Sequence, residues 1–185
     1  MVAKKRANSK RNIKKIVLLG LDNCGKTSIL LSLTRNTNLL SFYSLKPTAG
    51  VSIVNYSDSE GPTFNIWDLG GQEKYRQEYL SKLDQYLEAD KIIFVIDIQD
   101  YERYDLALSY LNEIVKAIQE KKKPIDLSIF LHKFDPGLEQ QANFTDESIR
   151  MNLLDRIQEI FPADYQYEIF KTTIYTVFQK KPCKI

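Results

Sequence analysis

Between Gly20 and Ser28 the chain reads GLDNCGKTS, with two glycines, a lysine and two hydroxyls set between the apolar run IVLLG and the helix-like ILLSLTR. Packing a core does not call for that combination; holding phosphate does. The pattern G-x-x-x-x-G-K-[ST], after a strand and at the start of a helix, lets Gly20 and Gly25 fold the backbone around an anion. The backbone amides of the loop, from Asp22, Asn23 and Cys24 through Gly25 and Lys26 to Thr27 and Ser28, then serve as donors, and the helix N-terminus adds its positive end. Lys26 is placed to neutralise β- and γ-phosphates. Thr27 offers a hydroxyl to Mg²⁺, which keeps its other ligands as water and phosphate oxygens. The motif implies a nucleoside triphosphate and leaves the base open.

Four further stretches supply what such a loop lacks. In NIWDLGGQEKY, Asp68 ends an apolar strand, where a carboxylate can hold a water of the Mg²⁺ shell. Gly71 can offer its N–H to a γ-phosphate and Gln72 can orient an attacking water. Taken alone, the same residues read as a strand-ending acid and a Gly-Gly turn. In LKPTAG, Thr48 can complete the Mg²⁺ shell only while a γ-phosphate is present, which makes it a sensor of hydrolysis; by itself it is a plain turn residue. In LHKFDPG, Asp135 can accept from N1–H and the 2-amino group of guanine while Lys133 packs its stem over the ring. Adenine has neither donor there, and rejection by such sites reaches about 10⁴-fold. His132, the only histidine in the chain, stands beside them and reads first as a loop anchor. The backbone N–H groups of Thr173 and Ile174, in FKTTI, are candidates for the guanine O6.

The elements that must position these residues alternate. Ile16 to Leu19 reads as a buried strand and Lys26 to Thr34 as a helix with Ile29, Leu30 and Leu33 on one side. VSIVNYS and TFNIWDL, separated by DSEGP, predict an antiparallel pair. A helix over Glu73 to Glu88 precedes the strand KIIFVIDI. Leu108, Leu111, Val115 and Ile118 recur at helical spacing between Tyr104 and Lys122, and KKKP ends that helix. The strand IDLSIFLHKFD, a helix over Thr145 to Ile160 and the strand YEIFKTTI complete the reading. This pattern predicts an α/β fold: a mostly parallel six-stranded sheet with one antiparallel strand and helices on both faces.

Bulk properties fit one domain over residues 13–185, preceded by a basic arm over residues 1–12. The first fifteen residues carry seven Lys or Arg and no acid, leaving 19 basic against 24 acidic residues in the rest. Such an arm reads as a solvated, disordered tail or as a contact for an anionic membrane surface. Nucleic acid is not expected as a partner, because the arm has no interleaved aromatics and the body is acidic. Two cysteines, Cys24 and Cys183, and no long apolar run suggest a cytoplasmic protein, peripheral on a membrane at most.

The motifs, in this order and spacing from Ile13 to Ile174, resemble the small GTPases of the Ras superfamily. GLDNCGKTS, KPTAGV, WDLGGQEKYR and FVIDIQDYER look most like the Arf and Arf-like family, whereas HKFD and FKTTI look more like the Rag branch. The resemblance implies a Ras-like P-loop G domain and a GDP/GTP switch with Mg²⁺. It also implies slow GTP hydrolysis to GDP and reliance on an exchange factor, an activating protein and an effector. By position, Thr27, Thr48 and, through water, Asp68 would hold the metal. Gln72 would be catalytic, and Lys133 with Asp135 would select guanine. Val2 replaces the glycine that Arf proteins myristoylate, and only eleven residues follow Ile174, short for the family's last helix. The function expected is an Arf-like switch in membrane-associated regulation or trafficking. The alternative is a Rag-like subunit that holds nucleotide and acts as a binding module in a heteromeric complex. An ATPase or kinase is disfavoured by Asp135.

Overall fold

The computed structural model describes residues 13–34, 41–42, 44–57, 62–120 and 125–175. The basic arm, most of the DSEGP turn, the KKKP segment and the residues after 175 lie outside the described residues. Six strands form one sheet in the order β2-β3-β1-β4-β5-β6. They are β1 (Ile13–Gly20), β2 (Val51–Ser57), β3 (Thr63–Leu69), β4 (Lys91–Asp97), β5 (Asp126–His132) and β6 (Glu168–Lys171). Only β2 runs antiparallel, paired with β3 from Val51 opposite Leu69 to Ser57 opposite Thr63. The pairs β1–β3, β1–β4, β4–β5 and β5–β6 are parallel.

Strand residues alternate between two cores, as the two-residue period of a strand requires. Leu18, Ile66, Ile93 and Val95 pack on one side with Ile29 and Leu30 of α1 (Lys26–Thr34). Val17, Leu19, Ile92, Phe94 and Ile96 face the larger core, which includes Leu111, Ile114 and Val115 of α4 (Tyr104–Gln119). The central strand β4 is buried at every position after Lys91, which explains its unbroken apolar sequence.

Local details depart from the expected elements in three places. The helix expected over residues 73–88 is divided into α2 (Glu73–Ser81) and α3 (Leu83–Tyr86) at Lys82, whose backbone leaves the helical region at φ −123° and ψ 26°. Tyr79, Leu83, Tyr86 and Leu87 are all buried, and their spacing suits one continuous helix, so nothing in the local sequence marks the break. The helix expected over 145–160 is capped by Thr145, whose hydroxyl accepts from the Ser148 N–H. It then runs as α5 (Asp146–Ile149) and α6 (Asp155–Ile160), joined by a π-helical turn over Arg150–Leu154. That wider turn keeps Ile149, Leu153 and Ile157 buried together. In α1, Leu33 is 59% exposed, so this helix buries two of its three expected leucine and isoleucine positions.

Four of the chemistry-bearing residues stand at or next to the carboxyl end of a strand, on the same edge of the sheet, while Thr48 comes from the segment that precedes β2. Gly20 closes β1, Asp68 lies one residue from the end of β3, Asp97 closes β4 and His132 closes β5. Strand β1 sits between β3 and β4, where the order of connections reverses, and the carboxyl ends of strands flanking such a reversal form the ligand crevice of open α/β sheets.

Candidate functional site

The loop from Gly20 to Lys26 curls because its backbone takes positive φ at three residues, the first being Gly20 at φ 143°. Asn23 has φ 61° and Gly25 φ 95°; asparagine tolerates that conformation and glycine adopts it without strain. Gly25 is required for a second reason. A Cβ there would lie 2.4 Å from Cδ2 of His132, so the imidazole packs directly on the loop backbone.

The loop forms the floor of a cleft of about 460 Å³. Asp22, Asn23, Gly25, Lys26, Thr27 and Ser28 line one wall; Pro47, Thr48, Gly70, Gly71 and Gln72 line the facing one, and Lys133 stands at one end. The Cys24 side chain points away from it, 1% exposed, and burial pushes its thiol up in pKa against the pull of Lys26. The Lys26 ammonium is buried and donates to the carbonyl oxygens of Gly20 at 3.0 Å and Leu21 at 2.6 Å.

Three oxygen-bearing residues from separate elements converge at the foot of the cleft. The Thr27 hydroxyl donates to Asp68 Oδ2 at 2.6 Å and the Thr48 hydroxyl donates to the same oxygen at 3.1 Å. The two hydroxyl oxygens are themselves 3.0 Å apart. Asp68 Oδ1 is buried with no hydrogen-bond partner among the described residues. Burial raises the Asp68 pKa, opposed by the Thr27 hydrogen bond and by Lys26. A buried carboxylate with an unused oxygen, flanked by two hydroxyls, is a hard, oxygen-only donor set that suits Mg²⁺. Among the described residues there is no cluster of three His, Cys, Asp or Glu side chains, so a cation here would need water and phosphate oxygens as well.

Gly71 is pressed against the phosphate loop. A Cβ on it would lie 2.2 Å from the Asp22 nitrogen. Its carbonyl accepts the Asp22 N–H at 3.0 Å and Arg76 Nη1 at 2.6 Å. Gln72 occupies the N-cap position of α2 in extended conformation and does not use its side chain as a cap, leaving the amide available to the cleft.

Arg76 and Arg103 escaped the sequence reading. Arg103, from the 3₁₀ turn Tyr101–Arg103, donates to Asp22 Oδ1 at 3.0 Å and to Asp100 at 2.6 Å, and these acids, Asp100 first, hold its guanidinium pKa up. Asp22 therefore sits between two arginines, with Arg76 Nη1 4.0 Å away. Only an arginine near an acid in space, not in sequence, would have signalled this.

The other end of the site lies beyond the cleft wall. His132 is buried beneath Gly25, its Nδ1 3.0 Å from the Thr172 hydroxyl, in keeping with a loop anchor. Burial lowers its pKa, helped by the Lys133 charge. Lys133 takes φ 62° and its ammonium pairs with the buried Asp97 carboxylate at 2.6 Å. Asp135 receives the Thr173 hydroxyl at 2.5 Å on one oxygen and the Gln99 amide at 3.0 Å on the other. The Thr173 side chain thus reaches the site, where only its backbone was expected to; Ile174 stands 36% exposed beside it. Asp97, Gln99 and Thr172 belong to this second cluster by their contacts, and the sequence reading did not single them out.

Comparisons with known proteins place the chain in a family. A family model described as the Gtr1/RagA G protein conserved region matches residues 15–179. ADP-ribosylation factor-like protein 3 of Caenorhabditis elegans is 34% identical over 140 residues, 76% of this chain and 71% of that protein. The Chlamydomonas reinhardtii protein of the same name is 35% identical over 121 residues, 65% of this chain and 63% of its own length. Human ADP-ribosylation factor-like protein 4A is 36% identical over 115 residues, 60% of this chain and 54% of its own length. In two of these three relatives the match therefore spans less than two thirds of the protein. Among solved structures, the Arl6 BBS3 small GTPase from Trypanosoma brucei with bound GppNp aligns with a TM-score of 0.63 at 20% identity, covering 88% of this chain and 87% of that one. The mammalian SRP receptor aligns at 0.66 with 18% identity, covering 86% and 91%. The chain belongs to the small GTPases of the Ras superfamily: it carries the Gtr1/RagA G-protein conserved region and is homologous to the Arf-like proteins.

Proposed function

We propose that this protein is a guanine-nucleotide switch that binds GTP and GDP with Mg²⁺ and hydrolyses GTP slowly. The observation that carries the reading is the convergence of Thr27, Thr48 and Asp68 at the foot of the phosphate loop. Thr48 reaches that point from a segment outside the sheet, which in this reading lets a bound γ-phosphate act on that segment.

In this reading the loop amides of Asn23 to Ser28 and the Lys26 ammonium bind the phosphates, with Asp22 beside them holding its own N–H on the Gly71 carbonyl. Thr27, Thr48 and Asp68 would hold Mg²⁺, which when bound would supply neutralisation of charge on the phosphate oxygens. Gly71 faces the γ-phosphate and Gln72 orients the attacking water. Lys133 and Asp135 read guanine, with Thr173 and Ile174 beside them. His132 braces the loop from below, joining the phosphate end to the base end. Unaided turnover is expected at about 10⁻⁴ to 10⁻³ s⁻¹, because both nearby arginines are engaged by Asp22, Asp100 or the Gly71 carbonyl rather than reaching into the cleft. An exchange factor, an activating protein and an effector would set the rates in use.

Single-turnover hydrolysis of Mg·GTP, with Mg·ATP in parallel, tests this reading. Slow GTP turnover with ATP inert supports it; ATP turnover at a similar rate would overturn it. Tight GTP binding without turnover would favour the second reading, a nucleotide-holding subunit of a heteromeric complex, which the long match to the Gtr1/RagA region supports. Among the described residues no helix is long and apolar enough to cross a membrane, so membrane-associated regulation would proceed through peripheral contact, with the basic arm as the candidate.

A further inference from the structure

We propose that Gln99 is a positioning residue for base recognition: its side-chain amide sets the plane of the Asp135 carboxylate against guanine. The inference rests on the guanine-nucleotide reading above and deepens it.

Gln99 lies two residues beyond the end of β4, and its side-chain nitrogen donates to the Lys133 carbonyl at 2.7 Å and to Asp135 Oδ2 at 3.0 Å. Both partners are pure acceptors, so the NH₂ end of the amide must face them, and both of its hydrogens are used. The Gln99 backbone is itself fixed on the same loop pair. Its N–H donates to Asp97 Oδ1 at 3.0 Å, Asp97 Oδ2 takes the Lys133 ammonium at 2.6 Å, and the Ile98 N–H donates to the His132 carbonyl at 3.0 Å. One amide thus clasps the left-handed turn at Lys133 and the carboxylate that follows it.

The clasp matters because the last torsion of an aspartate is broad and does not choose a plane by itself. Asp135 is held from two sides instead, by Gln99 on Oδ2 and by the Thr173 hydroxyl on Oδ1. Each oxygen spends one lone-pair site on its holder and keeps another for a ligand. Guanine presents two donors in its own plane, N1–H and the 2-amino group, and engages both oxygens only if the carboxylate is coplanar with the base. Inosine lacks the 2-amino group and needs one oxygen. The geometry therefore makes the preference for guanine over hypoxanthine depend on Gln99, while the phosphate end is untouched.

The test is equilibrium binding of GDP, IDP and ADP to the full chain in magnesium, by displacement of a fluorescent guanine nucleotide, for the wild type, Gln99→Ala and Gln99→Glu. Gln99 is exposed, so neither change removes core packing. In Gln99→Ala, GDP affinity is expected to fall about tenfold while IDP affinity changes less than about threefold, so that the GDP/IDP ratio collapses. Gln99→Glu, which cannot donate and sets a second carboxylate against Asp135, is expected to lose more GDP affinity than the alanine variant. Equal losses for GDP and IDP, or no loss in either variant, would overturn the role of Gln99 while leaving the guanine site standing. A wild type that does not prefer GDP to ADP would overturn the guanine reading itself, and this inference with it.

Discussion

The phosphate end and the base end of this site are built on different principles. At the phosphate end, Lys26 and Asp68 are buried and neighbouring segments are tied by backbone bonds, the Asp22 N–H to the Gly71 carbonyl at 3.0 Å and the Gly70 N–H to the Gly50 carbonyl at 2.8 Å. At the base end, Asp135 and Gln99 are near solvent and their arrangement rests on side-chain bonds from β4, β5 and the segment after β6. A triphosphate offers the same charge whichever base it carries, so backbone amides and one lysine suffice. A base must be told from others by donors fixed in one plane, which takes converging side chains. Between the two ends stands His132, packed on Gly25 on one side and bonded to Thr172 on the other.

If the division is right, each end should fail separately. The largest effect is expected at Asp135→Asn, which places an amide where guanine brings its own donors: GDP affinity should drop about 10³- to 10⁴-fold, with partial recovery for xanthosine diphosphate, measured by nucleotide displacement. Loss of affinity for every nucleotide alike would mean that the base end supports the loop rather than reads the base.

Gln72→Leu attacks the other end. Hydrolysis should slow by about 10²-fold in single turnover while GTP and GDP affinities stay within a factor of about two, because Gln72 would align water rather than hold phosphate. Unchanged turnover would move the protein toward the nucleotide-holding subunit.

A smaller loss is expected at Arg76→Ala. The Gly71 carbonyl keeps its bond from the Asp22 N–H but loses the guanidinium at 2.6 Å, so Gln72 is held less firmly. Turnover should fall about three- to tenfold with GDP affinity unaffected; a matching fall in GDP affinity would show that Arg76 serves the whole loop.

The smallest effect sharpens the link between the ends. Burial, aided by Lys133, lowers the folded pKa of His132 below its ordinary value. The unfolded chain then binds the proton more readily than the folded one, so stability rises with pH across the window below about 6.5 and is lost as pH falls through it. The melting temperature of the wild type should therefore drop between pH 7 and pH 5.5 by more than that of His132→Asn. Parallel curves would show that the imidazole is not the group responsible.

Much of this architecture could be read from residue order. The α1 helix runs over Lys26–Thr34 as its spacing predicts, and β2 and β3 pair antiparallel, because a two-residue or 3.6-residue period is a local property. The break at Lys82 and the π turn at Arg150–Leu154 were not legible, since both helical stretches keep a regular apolar spacing through the irregularity.

Sequence by itself determined the phosphate loop, the strand-ending Asp68, the Gly71–Gln72 pair and the Lys133–Asp135 pair, because each is a short run whose residue types have few other uses together. It also determined the alternation that stacks these runs along one edge of a parallel sheet. Tertiary structure alone decided that Arg76 and Arg103 share Asp22, that Gln99 clasps Asp135, and that the histidine bears on a glycine 107 positions earlier in the chain. Those contacts join residues far apart in sequence, and only the register of β1, β4 and β5 brings the loops at their ends within reach of one another.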